Sequence, residues 1–429
     1  MSDLAGHRLL VVGGGAEAVP GLERLRALGA RLAVSDRDAQ APGFACAEER
    51  VVASTYDVDA TVRAARALDQ RWPVDGVLCI AADVPLTVAA VAHALGLPGL
   101  GLVAARLASD KLAMKQALAA HGVPVPAFCD VSSLAQLRRA VSRWELPAVL
   151  KPVDGRGARG VLLLTQGVDL GWAWETALAA SPSRRLMLER FVAGPQLSSE
   201  SFVRRDQIAT PGLADRNYEA LARTAPYVIE DGGLQPSVHA ARVREAVDDL
   251  VRRTAVAMEI DAGIVKGDLV LHPREGPVVI EVAARLSGGS FCTRTIPLST
   301  GVDLVEAVAR HACGLTVDVA ALRPPQRMRP VANRYFLPPP GRVVAIEGFE
   351  ALATREGIAH AELAVRPGDV VRPLTDHTCR AGSVIATGDT DEQAVARARD
   401  AVASVRFVVE SHFEEGTSHA AVPGHRLAG

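Results

Sequence analysis

A lysine set just ahead of three closely spaced glycines, between two apolar runs, narrows the choice of fold more than any other stretch of this chain. Leu150 and Lys151 end one run, the loop carries Gly155, Gly157 and Gly160, and residues 161–164 are apolar again. So short a connection between two strand-like runs predicts a β-hairpin. Glycine has no Cβ, so such a loop can turn sharply and approach a ligand closely. Its free amides can face phosphate oxygens, and a lysine ammonium adds a compact positive charge. A Walker loop is excluded, because there the lysine follows the last glycine, precedes Ser or Thr and opens a helix. A hairpin covering phosphates is expected; a plain flexible hairpin with a surface lysine is the simpler alternative.

Size and charge limit what surrounds this loop. At 429 residues the chain is expected to form two to four domains. A hydrophobic content of 49% with 22% charged residues fits a soluble globular protein. A formal net charge of −2 gives no reason to propose nucleic acid or an anionic membrane as partner. The cysteines (Cys46, Cys79, Cys129, Cys292, Cys313 and Cys379) form no CxxC pair and read as reduced thiols. With no apolar stretch long enough for a signal or a membrane span, a cytoplasmic location is expected.

Residues 1–106 alternate short apolar runs (9–12, 31–35, 76–80) with helical patterns, which argues for a parallel sheet covered by helices. Gly13, Gly15, Ala18 and Asp36 formally match a dinucleotide fingerprint, so a nicotinamide-dependent oxidoreductase is a rival reading. Ser109 or Asp110 is expected to cap a helix that runs to Gly122, and helices are expected near 243–258 and 392–405. Prolines at 324–325 and 338–340 mark a boundary region, and the polar tail is expected to be disordered.

A second hairpin carries two acids. Residues 263–271 and 278–285 are strand-like and flank the turn-rich 272–277. If the turn is centred between Arg274 and Glu275, Asp268 lies opposite Glu281 and Lys266 opposite Ala283, with Ala283 and Arg285 on the same face. Like charges facing each other destabilise a sheet unless compensated. A hard divalent cation held jointly with substrate phosphates would compensate them, and Arg285 could then reach the same phosphate. Ordinary solvent-facing acids are the alternative, but both sit within runs of Val, Ile and Leu.

Taken in order, these motifs resemble the ATP-grasp superfamily of carboxylate–amine ligases. They are the N-terminal α/β pattern, Asp110-Lys111 with Gly122–Pro126, the Lys151 glycine loop, Leu188–Val192 with Gly194, and Ile280–Arg285. Within that superfamily, Ala284–Gly289 and the stretch Asp376-His377, Arg380 and on to Thr390 look most like the L-amino-acid ligase and carbamoyl-phosphate-synthase-like group. The resemblance implies an α/β (α+β lobes) ATP-grasp fold. It comprises a Rossmann-like pre-ATP-grasp domain (1–106), an ATP-grasp domain (107–319) and a small C-terminal α/β domain (320–413), then a tail (414–429). The ATP-grasp domain would divide into a small glycine-loop lobe, about 127–193, and a metal-binding lobe, about 194–319. It further implies ATP and Mg²⁺ (or Mn²⁺) as cofactors, with a small-molecule carboxylate and amine as partners. Homodimers are common in that group.

By the same resemblance Lys111 and Lys151 contact the ATP phosphates, and the amides from Gly155 through Gly157 to Gly160 close over them. Glu189, Arg190 and Phe191 hold the adenine, and Gln196 stands where a ribose-binding glutamate is common. Asp268 and Glu281 bind metal, and Arg285 steadies an acyl phosphate. The family usually has Asn where this chain has Ala283, which leaves a metal ligand missing. Either water replaces it, or Lys266 offsets phosphate charge instead. The same departure motivates a non-catalytic ATP binder as a second rival. For the substrate, Gly288, Gly289 and Ser290 could form a nest for a carboxylate, with Arg294 beside it. Arg216 and Tyr227, in the long segment 215–231, are further candidates for substrate contact.

Overall fold

The three apolar runs near the N-terminus, with Glu49–Val52 added at one edge, form a parallel sheet ordered Glu49–Val52, Arg31–Asp36, Arg8–Val12, Gly76–Leu78. The two central strands bury almost every side chain, as a sheet covered on both faces requires. In chain order, helix Val19–Ala27 joins the first strand to the second, Val58–Arg71 joins the third to the fourth, and Pro85–Leu95 follows the last. The glycine turn after the first strand is folded back on its own sheet. Gly14 N–H donates to Asp36 Oδ2 at 2.9 Å, and Gly43 N–H donates to the Gly14 carbonyl at 2.7 Å. The carboxylate that a dinucleotide site would aim at a ribose therefore holds the turn together.

This sheet belongs to the first of two compact units of a computed structural model that describes residues 3–144 and 146–410. The first unit contains the chain up to Val125, then Ala193–Asp215 and Gln235–Met328; the second contains Pro126–Val192, Arg216–Leu234 and the chain from Arg329 onward. The tail from residue 414, expected to be disordered, lies outside the described residues.

The first unit also holds an antiparallel sheet, ordered Gly276–Ala283, Ala262–His272, Gln196–Arg204, Gln207–Asn217. One face is apolar and packs on helix Ala240–Ala257 through Val243, Val247, Leu250 and Val251 against Leu197, Val265 and Leu269. Each such side chain contributes roughly 1.5–3 kcal/mol by leaving water. The other face carries the polar residues of the site.

In the second unit the glycine hairpin forms as the sequence predicts. Ala148–Pro152 pairs antiparallel with Leu162–Leu164, and the sheet order is Phe128–Val131, Leu186–Arg190, Ala148–Pro152, Leu162–Leu164. Helices Leu134–Arg143 and Leu170–Ala179 complete its core with Leu137, Ala173 and Ala177. The same unit contains the antiparallel strands Val331–Tyr335, Gly382–Thr387 and Ile358–Leu363, with helix Asp391–Ser404 packed on them through Ala394 and Ala398.

Candidate active site

On the polar face of the first unit's sheet, Asp268 lies directly opposite Glu281 and Lys266 opposite Ala283. The expected pairing is present, although the turn is not where it was expected. His272 pairs with Gly276, which centres the turn on Arg274, and a bulge between Leu269 and Asp268 takes up the extra residue, Ile280. Across the next strand Lys266 faces Glu200 and Asp268 faces Ser198. One face thus carries three carboxylates, from Glu200, Asp268 and Glu281.

Each carboxylate has a cationic or hydrogen-bonding neighbour. Lys266 Nζ is paired with Asp268 Oδ1, both side chains being mostly buried. Lys111 Nζ is 3.1 Å from Glu281 Oε1. Glu200 is fully buried and accepts from Ser287 N–H at 2.9 Å and from the Ser287 hydroxyl. Burial raises its carboxyl above the ordinary range, while the bonds from Ser287 and the charges of Lys266 and Arg285 oppose that rise.

Lys111 is placed by its helix. Asp110, not Ser109, caps Lys111–Ala120, accepting from Leu112 N–H at 3.0 Å and Ala113 N–H at 2.9 Å. Four residues on, on the same helix face, fully buried Lys115 donates to the Val279 carbonyl at 2.8 Å. Val282 N–H meets Met114 Sδ at 3.3 Å. The helix is thereby tied to the strand that carries Glu281. Nothing in the sequence singles Lys115 out, because its partner is a backbone carbonyl 164 residues away.

Arg285 follows the strand's end at Ala283, and its Nε lies 3.4 Å from Asp83 Oδ1, an acid that sequence patterns do not single out. The glycine turn beyond it is engaged by another such acid: Gly289 N–H donates to Glu17 Oε2 at 3.2 Å. Ser290 is left-handed, with φ of 60°. Arg294 lies in the turn Phe291–Thr295, and its buried Nε has no hydrogen-bond partner. Cys292 donates to the Ser287 carbonyl at 2.9 Å, and burial pushes its thiol well up, which favours the neutral thiol over the thiolate. Gln196 begins its strand, just after Gly194. Glycine is needed there, since a Cβ would come 2.2 Å from the Leu271 carbonyl oxygen.

The remaining expected residues lie in the second unit. Lys151 and Glu189 are both buried and form an ion pair with each other. Arg190 is exposed and Phe191 half-buried. In the loop, Gly157 and Gly160 have φ of 59° and 69°, and a Cβ on Gly160 would come 2.7 Å from Ala180 Cβ. The Gly157 carbonyl accepts from His377 N–H at 3.0 Å. His377 also accepts from Glu230 N–H through Nε2 at 3.3 Å. Arg216 donates to Glu230 Oε2 from Nε at 3.0 Å and Nη2 at 2.7 Å, and Arg380 donates to the Glu230 carbonyl at 2.6 Å. Burial alone would raise the Glu230 carboxyl, but Arg216, Arg380 and His377 outweigh it and hold it below the ordinary range. Segment 215–231 is therefore well anchored: Arg216 is committed to Glu230, and Tyr227 packs edge-on against Trp172 with centroids 6.0 Å apart.

The chain matches models of three domains: "ATP-grasp N-terminal domain" over residues 22–99, "ATP-grasp domain" over 108–289, and "L-amino acid ligase C-terminal domain 2" over 334–410. It is 30% identical over 226 residues to the D-alanine–D-alanine ligase of Desulforudis audaxviator (strain MP104C), covering 51% of this chain and 69% of that one. The chain belongs to the ATP-grasp family of carboxylate–amine ligases. It is an ADP-forming enzyme of the C–N-bond-forming class. It is also 27% identical over 359 residues to the uncharacterised protein y4rH of Sinorhizobium fredii, covering 83% of this chain and 72% of that one. At the level of fold, the L-amino acid ligase of Bacillus licheniformis superimposes with a TM-score of 0.80 at 20% identity, covering 95% of this chain and all of that one. The ADP-complexed N5-carboxyaminoimidazole synthetase of Staphylococcus aureus gives 0.73 at 14% identity, covering 94% and 99%. Nothing favours the oxidoreductase alternative, and Asp36 is spent on Gly14. Among the described residues no helix is long and apolar enough to cross a membrane.

Proposed function

We propose that this ATP-grasp ligase joins a small carboxylate, an amino acid or related metabolite, to an amine through an acyl phosphate, with ATP and Mg²⁺. The observation that carries the reading is the Asp268–Glu281 pair, held opposite each other with a lysine on each. Two carboxylates side by side on one sheet face fit a hard cation that completes its shell with phosphate oxygens and water. When bound, such an ion would neutralise charge on the phosphoryl group in transfer.

The chain's own residues have separate tasks. Lys151 and the loop from Gly155 to Gly160 hold nucleotide phosphates, and Lys111 supplies a further positive charge for them. Glu189, Arg190, Phe191 and Gln196 hold the nucleoside. Arg285, aligned by Asp83, steadies the acyl phosphate, while Gly288, Gly289, Ser290 and Arg294 receive the substrate carboxylate. A carboxylate oxygen attacks the γ-phosphorus and the bond to ADP breaks. The amine nitrogen then attacks the acyl carbon, phosphate leaves, and the nitrogen gives up its proton. The L-amino acid ligase neighbour and the D-alanine–D-alanine ligase relative support amino acids as substrates. We assign these tasks to domains spanning about 1–106, 107–319 and 320–413.

Phosphate release from ATP and Mg²⁺ across amino acids, singly and in pairs, with products weighed by mass spectrometry, tests the reading. A condensed product that appears with phosphate supports it. Glu281→Gln should abolish turnover, a loss of at least about 100-fold, with the melting curve kept. Wild-type turnover in that variant would remove Glu281 from the mechanism.

A further inference from the structure

We propose that the Lys266 ammonium is a built-in cation standing where a second metal ion would otherwise sit, so that this enzyme takes one divalent ion with each ATP. The proposal rests on the reading of Asp268 and Glu281 as metal carboxylates. Lys266 occupies the middle of the polar face. It lies two residues from Asp268 on its own strand, opposite Glu200 on one neighbouring strand and opposite Ala283 on the other. Its ammonium is paired with Asp268, and its charge also acts on buried Glu200.

Ligand supply limits the number of ions. Ala283 presents only a methyl, so the neighbouring strand offers no oxygen beyond Glu281. Among the described residues no group of three or more His, Cys, Asp or Glu side chains could hold a metal ion. A Mg²⁺-like ion demands near-octahedral oxygen coordination. One ion can complete its shell with the two carboxylates, phosphate oxygens and water. Glu200, the third carboxylate of the face, is buried and already accepts from Ser287 N–H and the Ser287 hydroxyl, so a second ion would have to share the other two while displacing an ammonium already seated on one of them. Lysine is suited to the position, since it supplies a compact point charge with three donors and needs no ligands of its own. With Lys111 on Glu281 and Lys266 on Asp268, each carboxylate of the pair has its own ammonium; in this proposal the ion takes the place of Lys111, and Lys266 stays.

Manganese counting tests this directly. The full chain and β,γ-imido-ATP, at equal and saturating concentrations, are titrated with Mn²⁺ while electron paramagnetic resonance reports the free ion. One tightly held Mn²⁺ per chain is expected in the wild type, and two in the Lys266→Gln/Ala283→Asn double variant, which removes the ammonium and adds an oxygen. Two ions in the wild type would overturn the proposal and leave the carboxylate site intact. No protein-dependent Mn²⁺ binding would overturn the site reading itself, and this proposal with it. Lys266→Met should weaken binding of the analogue by about tenfold, and Lys266→Arg should restore most of it. A lower melting temperature with unchanged affinity would make Lys266 a merely structural partner of Glu200, which also overturns the proposal.

Discussion

Glu230 illustrates how a single side chain can be held in an unfavourable place. Its carboxylate is mostly buried, and Arg216, Arg380 and His377 together outweigh the cost of removing it from water. Its folded pKa therefore lies below the unfolded value. Its stabilisation is present above the ordinary carboxylate range and is lost as pH falls through the folded pKa. Glu230→Gln should accordingly cost up to about 3 kcal/mol near neutral pH, with the gap from wild type narrowing in acid. Urea melts at several pH values would show this, and a gap independent of pH would refute it. Lys151 and Glu189 form a comparable buried pair. The sequence made Lys151 conspicuous through its glycines, whereas the mutual pairing becomes visible only once the two strands lie side by side, with Val149 opposite Glu189.

At the scale of elements, the helix Lys111–Ala120 is both a support for Lys111 and a brace for the carboxylate strand. Lys115 is the brace, because its buried ammonium donates to Val279, two residues before Glu281. Lys115→Met keeps the side chain's bulk but leaves that carbonyl without this donor. It should cost about 1–3 kcal/mol in chemical denaturation and weaken ATP affinity through the displaced Lys111. A variant as stable as wild type would mean that the brace is unnecessary. The two hairpins were legible in advance because their signals are local: turn residues between apolar runs, and a two-residue alternation. Even there, the 262–283 hairpin turned at a different residue from the one assumed, and only the bulge at Ile280 kept Asp268 opposite Glu281. Helix starts were legible for the same local reason, as with Asp110. Strand neighbours were not. That Glu200 faces Lys266 depends on the pairing of Gln196–Arg204 with Ala262–His272, more than 60 residues apart, and no local pattern encodes it.

For the molecule as a whole, the order of motifs along the chain carried the family, while chemistry in the tertiary structure supplied what the motifs lacked. Glu17, Asp83 and Lys115 each act on a group far away in sequence, and each is unremarkable where it stands in the chain. The Gly13–Gly15 turn shows the converse, a local fingerprint whose acid is taken up by the turn's own amide. The proposed route runs from carboxylate to amide through phosphate, and such a route would leave an isotopic trace. With a carboxylate substrate labelled with ¹⁸O at both oxygens, one labelled oxygen should leave in the released phosphate and the other remain in the product, as mass spectrometry would read. Unlabelled phosphate alongside the condensed product would contradict the acyl phosphate and, with it, the proposed roles of Arg285 and the carboxylate pair.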